Sequence, residues 1–340
     1  MTFGLSRRAL GATVGSFAIL RHARGEEALK LRCSLDTTPS HVRTISIVDY
    51  LRQLETATGG KIVSEVFHSG QLYPDVNVGK ALLQGQIDMA APGGWTQTGI
   101  VSDCDFIQLP AFYGQSMDVT HAATDGKPGA HVIAQIETKL RTKVIGSLID
   151  LGFQNWYSTR KPLNSTEDFK GLKIRGPGGA GIGWRTAFFG GLPNTTAWPN
   201  VPLALSQGTF DALVSTDESL ASAKLWEAGI KYSYSDHQYL GQYMPMVSQT
   251  FWAKLSPEHQ KIVLDLWAKN IPIYRANAAE AQARARKTLE EHGVIYTDPA
   301  PAVLAADRKR LQGDVATLIK DAKLSAEVVR LTDEAIGARA

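Results

Sequence analysis

The sequence predicts an α/β protein built from two lobes that face each other across a cleft. Its 340 residues are too many for one small domain and are enough for two α/β lobes. Segments with strand and helix periodicity alternate along the chain, which predicts sheets covered by helices on both faces. Crossings between the lobes are predicted near residues 151–157 and 233–247. A cleft with more than one crossing can close on a ligand by hinge motion.

Residues 26–150 are expected to form the first lobe. An alternating strand at 29–34 precedes a helix at 41–58, whose apolar residues recur at helical spacing and which ends at two glycines. The remaining predicted elements are a strand at 61–67, a helix at 76–84 and strands at 87–91 and 144–150.

Residues 151–235 are expected to form the second lobe. Residues 236–340 are expected to return to the first lobe and to add a long bridging helix and C-terminal helices. The second lobe should contain strands at 172–175 and 212–215 and helices at 183–189 and 201–207. Ser256 is a typical N-cap and Pro257 a typical first-turn residue, so a long helix should begin there and run to about His292.

The N-terminus has the pattern of an export signal. Arg7 and Arg8 follow Ser6 and precede a mildly apolar run at 9–20, which is shorter than the ~20 residues that span a bilayer. The arginine pair and the low hydrophobicity favour the twin-arginine route, with an ordinary secretory signal as the alternative. Residues 1–25 are therefore predicted to be a signal peptide, and the mature chain to lie outside the cytoplasm.

Composition excludes several classes of protein. Hydrophobic residues make up 44% and charged residues 20%, as in ordinary globular proteins. The net charge is +3, and no dense basic block follows the first 25 residues, so nucleic acid is not an expected partner. Cys33 and Cys104 lack metal-type spacing, and two buried thiols are favoured over a single disulfide.

Motifs for catalysis are missing or incomplete. Gly176, Gly178 and Gly181 match the G-x-G-x-x-G dinucleotide pattern, but no acidic residue stands about 20 positions later to hold a ribose. A turn that lets the backbone approach the cleft is the favoured interpretation. Neither H-E-x-x-H nor G-x-S-x-G occurs, so an enzyme is not expected. An exported oxidoreductase is the least favoured alternative.

Arg175 is the leading candidate for ligand binding. It ends the predicted strand at 172–175, and ligands of open α/β sheets lie beyond the carboxyl ends of strands. A guanidinium there can bind a carboxylate through two parallel hydrogen bonds, which lysine cannot reproduce. From position alone, an arginine in a surface salt bridge is the alternative.

The segment at 160–175, RKPLNSTEDFKGLKIR, resembles a signature of TRAP-type (tripartite ATP-independent periplasmic) solute-binding proteins, the DctP-like family. Five further segments resemble family motifs in the family's order: TATGGKIV at 56–63, VFHSGQL at 66–72, LQGQIDM at 83–89, LALSQGTFD at 203–211 and LSPEHQ at 255–260. The resemblance covers nearly the whole mature chain.

This resemblance implies a two-lobed periplasmic-binding-protein fold of the type II-like kind, with a long C-terminal helix that bridges the lobes. It implies a protein that captures a small organic acid and delivers it to membrane permease subunits without ATP. A periplasmic ligand sensor with the same pocket is the alternative. No cofactor is expected, although a cation beside the carboxylate stays an open alternative. A monomer is expected, with a dimer left open.

The resemblance also implies roles for site residues. Arg175 should pair with the ligand carboxylate, Trp198 should form an aromatic wall and Ser215 a polar contact. Gln154 stands where sialic-acid-binding members have a second arginine. Its presence argues against a sialic acid or another bulky ligand that two arginines would bind. The expected ligand is a small monocarboxylate, either aromatic or hydroxylated.

Two further groups complete the predicted site. Apolar walls are predicted at Phe153, Trp156 and Trp95, each with a place in the core as the alternative. After the strand at 212–215, family members more commonly have Q-E-x-P or E-W, and this chain has Thr216, Asp217 and Glu218 instead. These residues could bind a ligand hydroxyl, an ammonium group or a cation.

Overall fold

The structure is a computed structural model that describes Met1 and residues 28–337. The predicted signal peptide therefore lies, apart from Met1, outside the described residues. The described chain alternates strands with helices and forms two main sheets, which confirms the α/β class.

The strands, in chain order, are β1 (Leu29–Ser34), β2 (Ile62–Phe67), β3 (Met89–Ala90), β4 (Thr142–Val144), β5 (Ile149–Phe153), β6 (Asn155–Ser158), β7 (Lys173–Gly176), β8 (Leu192–Thr195), β9 (Ala212–Ser215), β10 (Tyr232–Tyr234), β11 (Leu240–Tyr243), β12 (Met246–Ser248) and β13 (Ile295–Thr297). The α-helices are α1 (Val42–Ala57), α2 (Asp75–Leu83), α3 (Met117–Thr124), α4 (Lys127–Leu140), α5 (Ala180–Phe188), α6 (Val201–Ser206), α7 (Asp217–Ser222), α8 (Gln249–Trp252), α9 (Pro257–Glu291), α10 (Pro301–Gln312), α11 (Val315–Ala322) and α12 (Ala326–Gly337).

The first sheet has the strand order β2-β1-β3-β12-β4. Strand β1 lies parallel to β2 and β3, whereas β12 runs antiparallel to β3 and β4. Because β12 comes late in the chain, the chain has returned to the first sheet by Met246, after the second sheet is almost complete.

The second sheet has the order β13-β10-β6-β9-β7-β8, with β7 parallel to both β8 and β9. Its edge strand β13 pairs with β10, so residues 295–297, which follow α9, join the second sheet.

An antiparallel ribbon of β5 and β11 connects the two sheets. Strand β5 leads from the first sheet into β6 of the second, and β11 leads back to β12. The predicted single strand at 144–150 is wrong: β4 ends at Val144 and β5 begins at Ile149. Between them Gly146 has φ +149°, and a Cβ there would lie 2.6 Å from Trp267, so the chain bends around that ring.

Helix α9 bridges the lobes, as the family resemblance implies. On the first-lobe side the Tyr50 hydroxyl donates to the Val263 carbonyl at 3.0 Å. At the connecting ribbon the Gln282 amide donates to the Leu151 carbonyl at 2.6 Å, and its oxygen accepts from the main-chain N–H of Glu218 in α7 at 3.0 Å. The helix is therefore fixed to both lobes and to the ribbon between them.

The start of α9 and the cysteines follow the sequence predictions. Ser256 caps the helix, its side chain accepting from the His259 N–H at 3.2 Å, and Pro257 is the first helical residue. Cys33 and Cys104 are buried free thiols, and burial raises the pKa of both. Neither thiol is therefore primed for reaction.

Candidate ligand-binding site

A cavity lies between the two sheets and holds about 450 Å³ not occupied by protein atoms, including space that opens to solvent. Many of its lining residues follow the carboxyl ends of strands, the edge where α/β sheets bind ligands. Lining residues from the first lobe and the connecting ribbon are Asp36, Asp75, Val76, Trp95, Thr96, Leu151, Gln154 and Tyr243. Those from the second lobe are Arg175, Pro177, Ala197, Trp198, Val214, Ser215 and Ser219.

Arg175 is held rigidly at the end of β7 and is only 2% exposed. Its Nε and Nη2 donate to the Thr196 carbonyl at 2.9 and 2.7 Å, and its Nη1 donates to the Val214 carbonyl at 3.4 Å. The guanidinium carbon lies 5.6 Å from the centre of the Trp198 ring. Every hydrogen bond that it makes within residues 28–337 thus goes to a main-chain carbonyl, not to a carboxylate.

These contacts leave donors unused. A guanidinium has five N–H groups, and three are engaged, so two remain, one on each terminal nitrogen. Burial lowers the pKa of Arg175 to about 10 because the charged form loses its hydration, while Asp36 opposes this shift. A buried cation with two unused donors beside a cavity favours an anion that can accept both.

Four other predicted site residues line the same cavity as Arg175: Trp198, Ser215, Gln154 and Trp95. Gln154 is 2% exposed, and its amide nitrogen has no hydrogen-bond partner among residues 28–337. A second residue that lines the cavity, besides Arg175, therefore carries an unpartnered donor group.

Phe153 and Trp156 do not line this cavity. Phe153 stacks on His237, with ring centres 4.4 Å apart, in a neighbouring pocket beside α9. Gln154 lies between β5 and β6, and its side chain faces a different pocket from that of Phe153. Trp156 is fully buried in the core, where its Nε1 donates to Asp236 at 2.7 Å.

Thr216 and Asp217 also lie outside the cavity and instead secure the start of α7. The Thr216 side chain caps the helix and accepts from the Ser219 N–H at 3.3 Å. The Asp217 carboxylate accepts from the hydroxyls of Tyr157 and Tyr296 at 2.8 and 2.6 Å. These contacts occupy the groups that the sequence assigned to a ligand.

Glu218 ties the lobes together and does not line the cavity. Its Oε1 accepts from the main-chain N–H of Val42 at 3.0 Å, and its Oε2 lies 2.8 Å from Nε2 of His41. His41 and Val42 begin α1 in the first lobe, whereas Glu218 begins α7, which follows β9 of the second sheet. The residue is therefore a contact between lobes.

Sequence reasoning missed an acidic wall formed by Asp36 and Asp75 around Arg43. The Arg43 guanidinium is fully buried and donates to Asp36 at 2.5 Å and to Asp75 at 2.6 Å. The second oxygen of Asp36 accepts from the Asp75 N–H at 3.1 Å. Asp36 lies two residues beyond β1, so the strand-end rule that selected Arg175 could also have selected it.

The glycine turn after β7 brings the two lobes together. Gly179 has φ +85°, and a Cβ there would lie 2.6 Å from the Asp105 carboxylate. The same carboxylate accepts from the Gly181 N–H at 3.0 Å. The turn thus approaches a carboxylate of the other lobe, at a point that does not line the cavity.

Comparison with known proteins identifies the family. Residues 35–321 match the DctP model, described as bacterial extracellular solute-binding protein, family 7. The chain belongs to this family. It is 26% identical to the C4-dicarboxylate-binding periplasmic protein DctP of Rhodobacter capsulatus, over 93% of this chain and 94% of that protein. It is 24% identical to the 2,3-diketo-L-gulonate-binding periplasmic protein YiaO of Escherichia coli, over 90% and 92%.

Solved structures of TRAP periplasmic proteins share the fold. One from Ralstonia eutropha with bound (S)-2-acetolactate has a TM-score of 0.83 at 22% identity, over 91% of this chain and 99% of that one. The galactonate complex of DctPAm from Advenella mimigardefordensis has a TM-score of 0.86 at 16% identity, over 92% and 99%. These likenesses confirm the two-lobed binding-protein fold.

Family membership makes the chain an extracytoplasmic solute-binding protein and confirms the TRAP-type resemblance. Among the described residues, the structure contains no helix that is both long and apolar enough to cross a membrane.

Proposed function

We propose that this protein captures a small organic acid in the periplasm through Arg175 and delivers it to the membrane permease subunits of a TRAP transporter. One observation carries the proposal: Arg175 is buried beside the cavity between the lobes, and two of its N–H groups have no partner among residues 28–337. A ligand carboxylate would accept both and would supply the missing negative charge.

The ligands named for relatives support a carboxylate. They include C4-dicarboxylates for the Rhodobacter capsulatus protein, and succinate and β-D-galacturonate for two TRAP proteins of solved structure. These ligands differ in length and in hydroxylation, and they share a carboxylate group. That shared group is the one that Arg175 suits.

The other lining residues would enclose the rest of the ligand. Trp198 would cover one side of the guanidinium and shield the ion pair from water, which strengthens it. Trp95 supplies a second aromatic surface, and Ser215 and Gln154 supply polar groups. A monomer is sufficient for this function, because both lobes of one chain contribute to the cavity.

Two alternatives receive less support. A periplasmic sensor would use the same cavity, but the Rhodobacter capsulatus and Escherichia coli relatives are named as solute-binding proteins, not as sensors. An oxidoreductase would need the glycine turn to hold a dinucleotide. The Asp105 carboxylate already occupies the main-chain N–H of Gly181 and would repel a pyrophosphate. Together with membership of a solute-binding family, this leads us to infer that the chain is a binding protein and not an enzyme.

A thermal-shift screen of the mature protein against organic acids tests the proposal. A ligand at 100 times its dissociation constant adds about 2.7 kcal/mol to the free energy of unfolding. We expect a clear rise in Tm with at least one carboxylate and none with the corresponding amide. If no acid raises Tm, and mass spectrometry of the unfolded sample finds no copurified acid, the proposal is wrong.

A further inference from the structure

The cavity has a second polar wall, supplied by the first lobe, that no carboxylate-binding role explains. Asp75 lines this wall, and more than nine-tenths of its side chain is buried. Its Oδ2 accepts from Arg43 at 2.6 Å, but its Oδ1 has no hydrogen-bond partner among residues 28–337. A buried carboxylate oxygen without a donor is costly, so a donor from the ligand would stabilise it.

A second residue that lines the same cavity also has an unpartnered atom, and this atom has the opposite polarity. The amide nitrogen of Gln154 is a buried donor without an acceptor in the described chain. Two residues that line the cavity thus carry unpartnered polar groups, an acceptor oxygen on Asp75 and an amide NH2 on Gln154, besides the two unused N–H groups of Arg175.

We infer that the ligand is a hydroxylated monocarboxylate and that Asp75 is the residue that selects it. This inference rests on the proposed function, in which Arg175 binds the carboxylate. A ligand hydroxyl donates to Asp75 Oδ1, and a hydroxyl oxygen accepts from the Gln154 amide. Hydroxyl groups suit this pair because each one both donates and accepts.

The acidic wall disfavours a second carboxylate. Arg43 carries one positive charge and contacts two carboxylates, Asp36 and Asp75, so the group is negative when both are ionised. Above the Asp75 pKa of about 7, where both carboxylates are ionised, a second ligand carboxylate would meet like charge in a buried site, which is strongly unfavourable. A plain C4-dicarboxylate is therefore a poor ligand for this chain.

An ammonium group fits less well than a hydroxyl. It could donate to Asp75, but it would lie close to the Arg43 guanidinium, which binds the other oxygen of the same carboxylate. It also has no lone pair to accept from Gln154. Amino acids should therefore bind more weakly than hydroxy acids of the same length.

Titration calorimetry with matched acids tests the inference on the wild-type protein. For chains of three, four, five and six carbons, the probes are the unsubstituted monocarboxylate, the polyhydroxylated (aldonic) acid, the dicarboxylate and the amino acid. The aldonic acid of the best length should bind at least about tenfold more tightly than the other three, the scale of one hydrogen bond to a charged group.

A pair of variants assigns the selectivity to Asp75. Asp75→Asn presents an amide to the cavity and should reduce the preference for the aldonic acid over the dicarboxylate by about tenfold. Asp105→Asn is the matched control, since Asp105 is also buried with an unpartnered Oδ1 but does not line the cavity. It should leave the ratio of the two affinities unchanged.

The outcomes distinguish a failure of this inference from a failure of the proposed carboxylate-binding function. If dicarboxylates bind the wild-type protein as tightly as aldonic acids, the inference is overturned while the carboxylate-binding function stands. An unchanged affinity ratio in a folded Asp75→Asn variant would also overturn the role of Asp75. If Asp75→Asn does not fold, the wild-type ranking still decides. If none of the acids binds, the proposed function itself fails.

Discussion

Two buried arginines of this protein have opposite surroundings. Arg43, in the first lobe, contacts the carboxylates of Asp36 and Asp75 and lies 4.0 Å above the centre of the Tyr243 ring. Arg175, in the second lobe, is also buried, but within the described chain its hydrogen bonds go only to main-chain carbonyls. Burial alone therefore does not tell a structural arginine from a ligand-binding one. Carboxylates of the protein neutralise Arg43, whereas Arg175 has no carboxylate hydrogen-bonded to it among the described residues.

A third arginine shows why the cavity matters to this comparison. Arg185 is also fully buried, and its terminal nitrogens donate to Gln108 rather than to a carboxylate. It does not line the cavity, and it packs 5.8 Å from the ring centres of Tyr113 and Tyr239. A buried arginine indicates a ligand site only where its unused donors also border a space that a ligand can enter.

The largest expected effect comes from removing the neutralised cation. Arg43→Met leaves Asp36 and Asp75 buried without their shared partner, which should lower the free energy of unfolding by about 3–5 kcal/mol. Arg175→Met removes a cation without a carboxylate partner, so the ligand-free protein should lose much less. Urea unfolding of both variants measures the difference. A larger loss in Arg175→Met would reverse the comparison.

The second expected effect is a dependence of the free energy of unfolding on pH. Burial raises the pKa of Asp75 to about 7, with Arg43 opposing and Asp36 adding to the rise. The folded state therefore binds a proton more tightly than the unfolded state, whose carboxyl titrates near its ordinary value of about 4. Stability from this group is full below pH ~4 and is lost as the pH rises towards 7, by at most about 1.4 kcal/mol per pH unit.

Urea unfolding of wild type and Asp75→Asn between pH 4 and 8 checks this sign. The stability of the wild type relative to the variant should fall as the pH rises to about 7 and then level off. A relative stability that rises with pH would mean that Arg43 holds the Asp75 pKa below its ordinary value.

The smallest effect concerns the contact between lobes. Glu218→Gln weakens the acceptor for the Val42 N–H and for His41, so ligand affinity should fall by about 1 kcal/mol, or roughly fivefold. The ranking of ligands should not change, because Glu218 does not line the cavity. A change in ranking would place Glu218 among the ligand contacts, as the sequence first suggested.

Local patterns explain which parts of the structure could be predicted. The cap at Ser256 and the strand that ends near Arg175 depend on neighbours in sequence, and both were predicted. The acidic wall depends on the end of β1 and the start of α2 meeting around Arg43, which no local pattern encodes. Phe153 and Gln154 are neighbours in sequence but line different pockets, because the chain passes from β5 to β6 at Gln154, and no local pattern placed that strand boundary.

The most direct test of the central claim is a calorimetric titration of Arg175→Ala with an acid that the wild-type protein binds. Arg160→Ala is the matched control, because it removes the same charge from an exposed side chain that pairs with Asp211. We expect at least about tenfold weaker binding in Arg175→Ala and near wild-type affinity in Arg160→Ala. Wild-type affinity in a folded Arg175→Ala variant would contradict the pairing of this arginine with the ligand carboxylate.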